Sequence, residues 1–295
     1  MIHHGKIIDR VKNYKVIDCK SCCFIHVIPI PSDRKIEKLY KEEFYTKKKP
    51  KYFKESEEDL NWWRLTYSNY YKILEKYTKG RKLLEIGSGP GYFLSCGNKL
   101  GWNVLGLEPS KEAYLYSKKL GVDVVNGFFT EKFIQKYGKF DVVSAMFVLE
   151  HLINPHSFIE NIKHSLKKGG LFFLISPNDY NPLQVILKKK KGYKPWWISP
   201  PQHINYFSFK SIKNLLYKKG FEVIDQYSTF PMEYYLLSGD NYINNPTAGR
   251  KYHNKRKEFE TNMFKYGSKY LNDMYKALSG CDIGREFVII AKLRV

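Results

Sequence analysis

Residues 81–91 read R-K-L-L-E-I-G-S-G-P-G, and the rest of the chain is organised around them. Lys82 to Ile86 is a short apolar run carrying one acid, the pattern of a strand buried in a parallel sheet. Gly87, Gly89 and Gly91 then follow at alternate positions. Glycines ending such a strand let a ligand approach bare backbone, and a helix behind them offers its first N–H groups. That helix is expected to begin near Tyr92 and run through Phe93, Leu94 and Cys96 towards Lys99, with Gly101 ending it. Strand, glycine turn and helix form the first half of a βαβ unit, so the chain is read as α/β.

A dinucleotide fingerprint needs a third glycine three places after the second, and that place holds Tyr92. The segment instead resembles motif I of the class I S-adenosylmethionine-dependent methyltransferases, acid-x-Gly-x-Gly-x-Gly, written here as Glu85-Ile86-Gly87-Ser88-Gly89-Pro90-Gly91. The resemblance implies a Rossmann-like sheet of seven mostly parallel strands with a reversed last strand and helices on both faces. It also implies S-adenosyl-L-methionine as cofactor, S-adenosyl-L-homocysteine as product, and cofactor contacts from Glu85, Gly87, Ser88, Gly89 and Gly91.

Downstream, Asn103 to Leu107 reads as a second strand that ends in Glu108, with Pro109 beginning the next helix. A carboxylate at that point has two oxygens with which to accept from vicinal ribose hydroxyls, the role the resemblance assigns to it. Val122 to Val125 is the third strand. After it the family places a polar side chain at the adenine edge and an apolar one on the ring, here Asn126 and Phe128. Lys139 to Ala145 is the fourth strand, and Met146 to His151 is expected to cross the methyl-transfer site. The run Leu149 to Pro155, L-E-H-L-I-N-P, is similar to a segment of small-molecule methyltransferases whose histidine touches cofactor or acts as base; the alternative for His151 is a buried structural histidine. A branch acting on quinone precursors binds a divalent metal there through two glutamates and a histidine. Glu150 and His151 match two of these, but Phe147 stands in place of the first glutamate, which argues against a metal-dependent mechanism.

A helix over Ile159 to Leu166, a turn at Lys167 to Gly170, a fifth strand at Leu171 to Ile175 and a helix at Phe209 to Lys219 follow. Phe221 to Thr229 and Glu286 to Lys292 are the sixth and seventh strands. The catalytic domain is thus read as 81–230 plus 283–295. Two insertions, 178–207 and 231–282, exceed ordinary loops and are expected to form a lid that selects the acceptor. Acceptor contacts are expected from Asn178, Tyr180, Trp196, Trp197 and Tyr206, and His203 is a second candidate base behind paired prolines. The alternative for the tryptophans is an aromatic hinge packed beneath the lid.

Residues 1–80 form the N-terminal segment. Residues 14–31 hold two β-type runs around Cys19-x-x-Cys22, half of a tetrahedral zinc site. The layout resembles the zinc-ribbon-like segment ahead of many bacterial methyltransferase domains. The first cysteine pair is absent, however, and the upstream histidines His3 and His4 are neighbours that point to opposite sides of an extended chain. The expectation is a metal-free hairpin, with zinc as the alternative. Ser32 is expected to cap a helix reaching Tyr40, and Ser56 to cap one carrying Trp62, Trp63, Tyr67, Tyr70, Tyr71 and Leu74, either as a packed aromatic face or as a lid over the cofactor.

The chain has 295 residues, is 43% hydrophobic and 16% aromatic, and contains no run of eighteen apolar residues, so a cytoplasmic protein with a substantial core is expected. Five cysteines are too few and unevenly placed for a disulfide framework. A net charge of +21 points towards nucleic acid or an acidic surface, but its lysines are dispersed and suit a solvated surface equally. Amino-directed nucleic-acid methyltransferases carry Asp/Asn-Pro-Pro-aromatic after the fourth strand, where this chain has Ser144-Ala145-Met146-Phe147. The functional expectation is methyl transfer to a small polar acceptor, a hydroxyl of a sugar or nucleotide-linked surface-glycan precursor. The alternatives are RNA methylation and a non-catalytic cofactor-binding protein.

Overall fold

The computed structural model describes residues 2–294. The chain opens with three strands, β1 (Gly5–Val11), β2 (Tyr14–Cys19) and β3 (Phe24–Ile28), followed by α1 (Asp33–Lys38), a π-helical turn over Leu39–Lys48, α2 (Tyr52–Glu58) and α3 (Leu60–Leu74). The glycine-turn region follows as β4 (Lys82–Ile86), α4 (Tyr92–Lys99), β5 (Asn103–Glu108), α5 (Lys111–Lys119), β6 (Val124–Asn126), α6 (Glu131–Tyr137), β7 (Phe140–Met146) and α7 (Pro155–Ser165). The last part is β8 (Leu166–Pro177), α8 (Pro182–Lys191), β9 (Asn205–Tyr206), α9 (Phe209–Lys218), β10 (Phe221–Ser228), α10 (Glu233–Leu237), α11 (Pro246–Tyr266), α12 (Ser268–Gly280) and β11 (Glu286–Leu293).

Local chemistry sets many of these boundaries. Asn-Pro dipeptides start α7, α8 and α11: the Asn154, Asn181 and Asn245 side chains accept from the first-turn N–H groups, and the proline behind each has no N–H to leave unpaired. Ser110 and Thr130 cap α5 and α6 in the same way. Ser56 does not cap a helix as expected; it lies inside α2, and Asp59 occupies the position before α3. Nor is Lys167 to Gly170 a separate turn, because β8 begins directly after α7 and absorbs the sequence, with Gly169 at φ +70° supplying the local irregularity.

The seven-stranded sheet runs β10-β11-β8-β7-β4-β5-β6. Strand β4 is parallel to both β5 and β7, β5 is parallel to β6, and the last strands are antiparallel, which is the Rossmann-like α/β arrangement. A second sheet of four strands has the order β1-β2-β3-β9, with every pairing antiparallel. Chain contacts divide into two compact units, one comprising residues 31–174, 216–224 and 290–295, the other residues 1–30, 175–215 and 225–289.

In the first unit the core is built on β4 and β7, where Leu83, Leu84, Val142 and Val143 are wholly buried. Tyr71 of α3 is equally buried and stacks on Phe93 of α4 at 4.5 Å, while Tyr67 meets the edge of the same ring and Tyr70 lies on Phe173. The aromatic stripe of α3 is therefore core packing. In the second unit, α11 is fastened by a buried charge cluster in which Arg256 Nε donates to Glu260 at 3.0 Å and its terminal nitrogen lies 3.7 Å from Glu286 at the start of β11. The Tyr275 hydroxyl of α12 donates to the same Glu260 carboxylate.

Removing one member of such a cluster leaves buried charge uncompensated. Arg256→Met is expected to destabilise the protein by about 3–5 kcal/mol in urea unfolding, whereas replacing the exposed Lys269 of the surface pair Lys269–Asp273 should leave the unfolding midpoint unchanged.

Candidate functional site

The carboxyl ends of β4, β5, β6 and β7 carry the candidate site, all within the unit of residues 31–174. Beyond Ile86 the backbone turns through Gly87, Gly89 and Gly91, each at positive φ, into α4. At Gly91 a Cβ would sit 2.9 Å from the Ser117 hydroxyl, so α5 packs directly on the turn, and that hydroxyl donates to Gly89 O at 2.8 Å. The Gly87 N–H donates to Leu107 O at 2.8 Å, tying the turn to the end of β5.

Glu108 joins these elements. Its carboxylate accepts from the Gly89 N–H at 2.8 Å with one oxygen and from the Ser110 N–H at 2.9 Å with the other. The following loop is held by Asn126, whose amide donates to the carbonyls of Glu108 at 2.8 Å and Pro109 at 3.1 Å. A carboxylate has about four lone-pair positions, so two backbone donors leave capacity for further acceptor bonds. Burial pushes the Glu108 carboxyl up to about 7, opposed by the two backbone donors.

Glu85, on β4, is buried at the centre of the sheet, with its second oxygen meeting no protein partner. Burial, reinforced by the nearby Glu108 charge, holds its carboxyl well above the usual carboxylate range. Gly87, Gly89 and Gly91 occupy the turn as the motif requires. The Ser88 hydroxyl is buried without a protein partner beside Gly106 of β5, where a Cβ would meet it at 2.8 Å. Asn126 is exposed but spends its amide on the β5 loop, whereas Phe128 presents an exposed ring beyond β6 and Met146 is half-buried at the end of β7.

An aromatic cover on this region does not appear among the residues singled out from motifs. Tyr45, in the π-helical turn, brings its hydroxyl to 3.2 Å from where a Gly89 Cβ would lie. Its ring stacks on Phe53, which stacks on Tyr116 of α5, so residues 40–53 form an aromatic cover on the glycine turn. Tyr40 lies with its ring 5.0 Å from that of His151. Phe147, directly after β7, holds φ at +57° with an exposed ring, a conformation that non-glycine residues adopt where surrounding structure enforces it. The cover was signalled by the aromatic density of residues 40–53, but no motif marks it.

His151 sits in the short helical turn after β7, its Nε2 3.8 Å from Glu150 Oε1, and Glu150 is buried. His203 belongs to the other unit, where its carbonyl accepts from the Tyr206 hydroxyl at 3.0 Å. Tyr206 is a correction to the expected acceptor contacts: it is buried in β9, paired with Ile25 of β3, and its hydroxyl is spent on backbone. Asn178 is a second, because it is buried and its amide donates to the carbonyls of Asp282 and Gly284, tethering β8 to the approach of β11. Tyr180 donates to Asp9, which also pairs with Lys188 at 2.6 Å, and Trp197 is buried against the Tyr180 ring while Trp196 is half-exposed beside it. The basic run at Lys188 to Lys191 is the last turn of α8, where cations complement the helix dipole.

The residues present fit S-adenosylmethionine. Gly87, Gly89 and Gly91 let the backbone make the turn at positive φ, Glu108 has acceptor capacity for two hydroxyls, and Glu85 offers an unpartnered buried oxygen behind the turn.

Comparison with known proteins agrees with this geometry. Residues 48–226 match the family model described as "Methyltransferase domain", more than half of the chain. The ubiquinone biosynthesis O-methyltransferase of Glaesserella parasuis is 33% identical over 109 residues, covering 34% of this chain and 46% of that protein. A probable S-adenosylmethionine-dependent methyltransferase of Mycolicibacterium smegmatis is 26% identical over 174 residues, 58% of this chain and 63% of that protein. The chain thus spans about half the length of the curated relatives it matches. A crystal structure of an S-adenosylmethionine-dependent methyltransferase from Archaeoglobus fulgidus superposes with a TM-score of 0.51 at 17% identity, covering 77% of this chain and 93% of that one, a likeness of fold. The glycine turn, the carboxylate that anchors it, the strand order and the family match converge: this chain belongs to the methyltransferase-domain family and has the class I S-adenosylmethionine-dependent methyltransferase fold.

Proposed function

We propose that this protein transfers a methyl group from S-adenosylmethionine to a hydroxyl of a small polar acceptor. The observation that carries the reading is the Glu108 carboxylate, held by the Gly89 and Ser110 N–H groups beside three glycines at positive φ. When bound, the cofactor supplies an activated methyl on a sulfonium, so the protein must hold the acceptor in line and take up one proton.

His151 is the proposed base. The imidazole takes up the hydroxyl proton, and the imidazolium that forms lies beside the buried Glu150 carboxyl group, 3.8 Å from its Nε2. An imidazole, with a pKa of roughly 6.5, suits this task near neutral pH. His203 is the second candidate. The relatives named as ubiquinone biosynthesis O-methyltransferases support an oxygen acceptor.

A sugar or surface-glycan precursor is the acceptor class we favour. Supporting it are the Cys19-x-x-Cys22 hairpin, which resembles the segment ahead of many bacterial methyltransferase domains, and a net charge of +21, which suits a phosphate-linked acceptor.

Four outcomes are expected. In calorimetric titration with S-adenosylhomocysteine, Glu108→Ala should weaken binding about ten- to a hundredfold, the loss of hydrogen bonds to a charged group; unchanged affinity would mean that the glycine turn is only structural. Affinity should also fall as pH drops below about 7, because protonation removes the acceptor, and the slope should vanish in Glu108→Gln. The sign for folding is opposite: a carboxyl raised to about 7 in the folded state makes stability decline as pH rises from the ordinary carboxylate range to about 7. Finally, His151→Asn should lower kcat about 10²–10⁴-fold while leaving S-adenosylhomocysteine affinity within about threefold. Those rates are measured on sugar-nucleotide and catechol acceptors in parallel; turnover of catechols alone would remove the sugar reading, and no turnover of either would remove the small-molecule one.

A further inference from the structure

At the amino-terminal end of the four-stranded sheet, a hairpin gathers four metal-binding side chains. Cys19 ends β2, Cys22 lies in the turn, His26 is in β3, and His3 precedes β1. Their donor atoms, one from each residue, all lie within 4.8 Å of one another. His3 Nδ1 is 3.3 Å from Cys22 Sγ, 4.0 Å from Cys19 Sγ and 3.1 Å from His26 Nε2. Around a tetrahedral zinc ion, with bonds of about 2.3 Å to sulfur and 2.0–2.1 Å to nitrogen, neighbouring ligand atoms are separated by roughly 3.3–3.8 Å.

The surroundings orient the donors. The opposite ring nitrogen of His26, Nδ1, lies 2.9 Å from Val27 O, so it carries the proton and Nε2 presents its lone pair to the cluster. The Cys22 N–H points at Cys19 Sγ at 3.5 Å, and the Cys23 N–H donates to Cys19 O, which closes the turn around the first sulfur. Gly5 lets β1 approach: a Cβ there would stand 1.9 Å from Asp18 O, so only glycine delivers His3 to the cluster. The remaining candidates face elsewhere. His4 meets the Ser21 hydroxyl at 3.1 Å, and the exposed Cys23 thiol turns to Lys20 O. Cys19, Cys22 and His26 are buried, which leaves no open position for a substrate.

We propose that His3, Cys19, Cys22 and His26 bind one structural zinc ion that fastens the chain's first residues to the β2–β3 hairpin. Two sulfurs and two imidazole nitrogens in a closed, buried tetrahedron are the donor set of a structural zinc site rather than a catalytic one. The thiols lose their protons on binding, and those protons leave to solvent.

Metal content and spectroscopy test this on tag-free full-length protein. Elemental analysis after gel filtration should find one zinc per chain in the wild type. Replacing the zinc with Co²⁺ should give the visible bands of tetrahedral cobalt together with sulfur-to-cobalt charge transfer. Cys22→Ser and His26→Ala should each lose the bound zinc, while His4→Ala and Cys23→Ser retain it. Because an emptied hairpin can unfold locally, each variant is also titrated with Co²⁺ after far-UV circular dichroism has shown its secondary structure intact. A wild type that binds neither zinc nor cobalt, or a Cys22→Ser protein that binds as the wild type does, would overturn the assignment.

Discussion

The Glu108 carboxylate is the contact on which the candidate site depends. It is a buried acid whose two oxygens are each claimed by a backbone N–H from a different loop, Gly89 after β4 and Ser110 before α5. The carboxylate is buried, so each N–H would lose its partner without it, and the anion would be strongly disfavoured without them. The two loops therefore adopt one mutual geometry. Ser117 and Asn126 brace it, the first against the turn carbonyl and the second against the carbonyls after β5.

The aromatic cover over this turn is a different kind of construction. Tyr45, Phe53 and Tyr116 form a stack that reaches from the π-helical turn to α5, and Tyr40 carries the same layer to His151. Rings supply large contact area with few rotatable bonds, so such a layer can exclude water from a charged centre at small entropic cost. Its presence beside two buried carboxyl groups fits the upward push on both: burial penalises each anion, the Glu108 charge adds to the penalty on Glu85, and the two backbone donors relieve Glu108 only in part.

Much of this was legible in the chain because the signals are local. The apolar run ending in alternate glycines places β4 and its turn, and an acid at the end of the next strand places Glu108, since both follow from what a buried strand and a close backbone approach require. Asn-Pro at 154, 181 and 245 carries helix starts that a capping argument could have read directly, yet the Ser56 signal, of the same kind, failed because α2 runs through it. The expected acceptor contacts fared worse. Asn178 and Tyr206 are polar or amphipathic residues in an insertion, which reads as a binding surface, but the Asn178 amide N–H groups and the Tyr206 hydroxyl are consumed by backbone carbonyls over a hundred residues away or within the same turn.

Sequence by itself determined the fold class, the glycine turn and the identity of its anchoring acid, because strand burial, glycine freedom and carboxylate chemistry are properties of residues and their near neighbours. Tertiary structure decided which side chains meet. His26 shows the difference: it stands only four residues after Cys22, in a strand where alternation sends half the side chains to each face, and only the pairing of β2 with β3 and the close pass of β1 at Gly5 bring it to His3 and both cysteines. In the same way Tyr45 reaches Gly89 through packing that no spacing encodes. Contacts between distant segments depend on how whole elements stack, and that information is spread over the core rather than written in any one stretch of the chain.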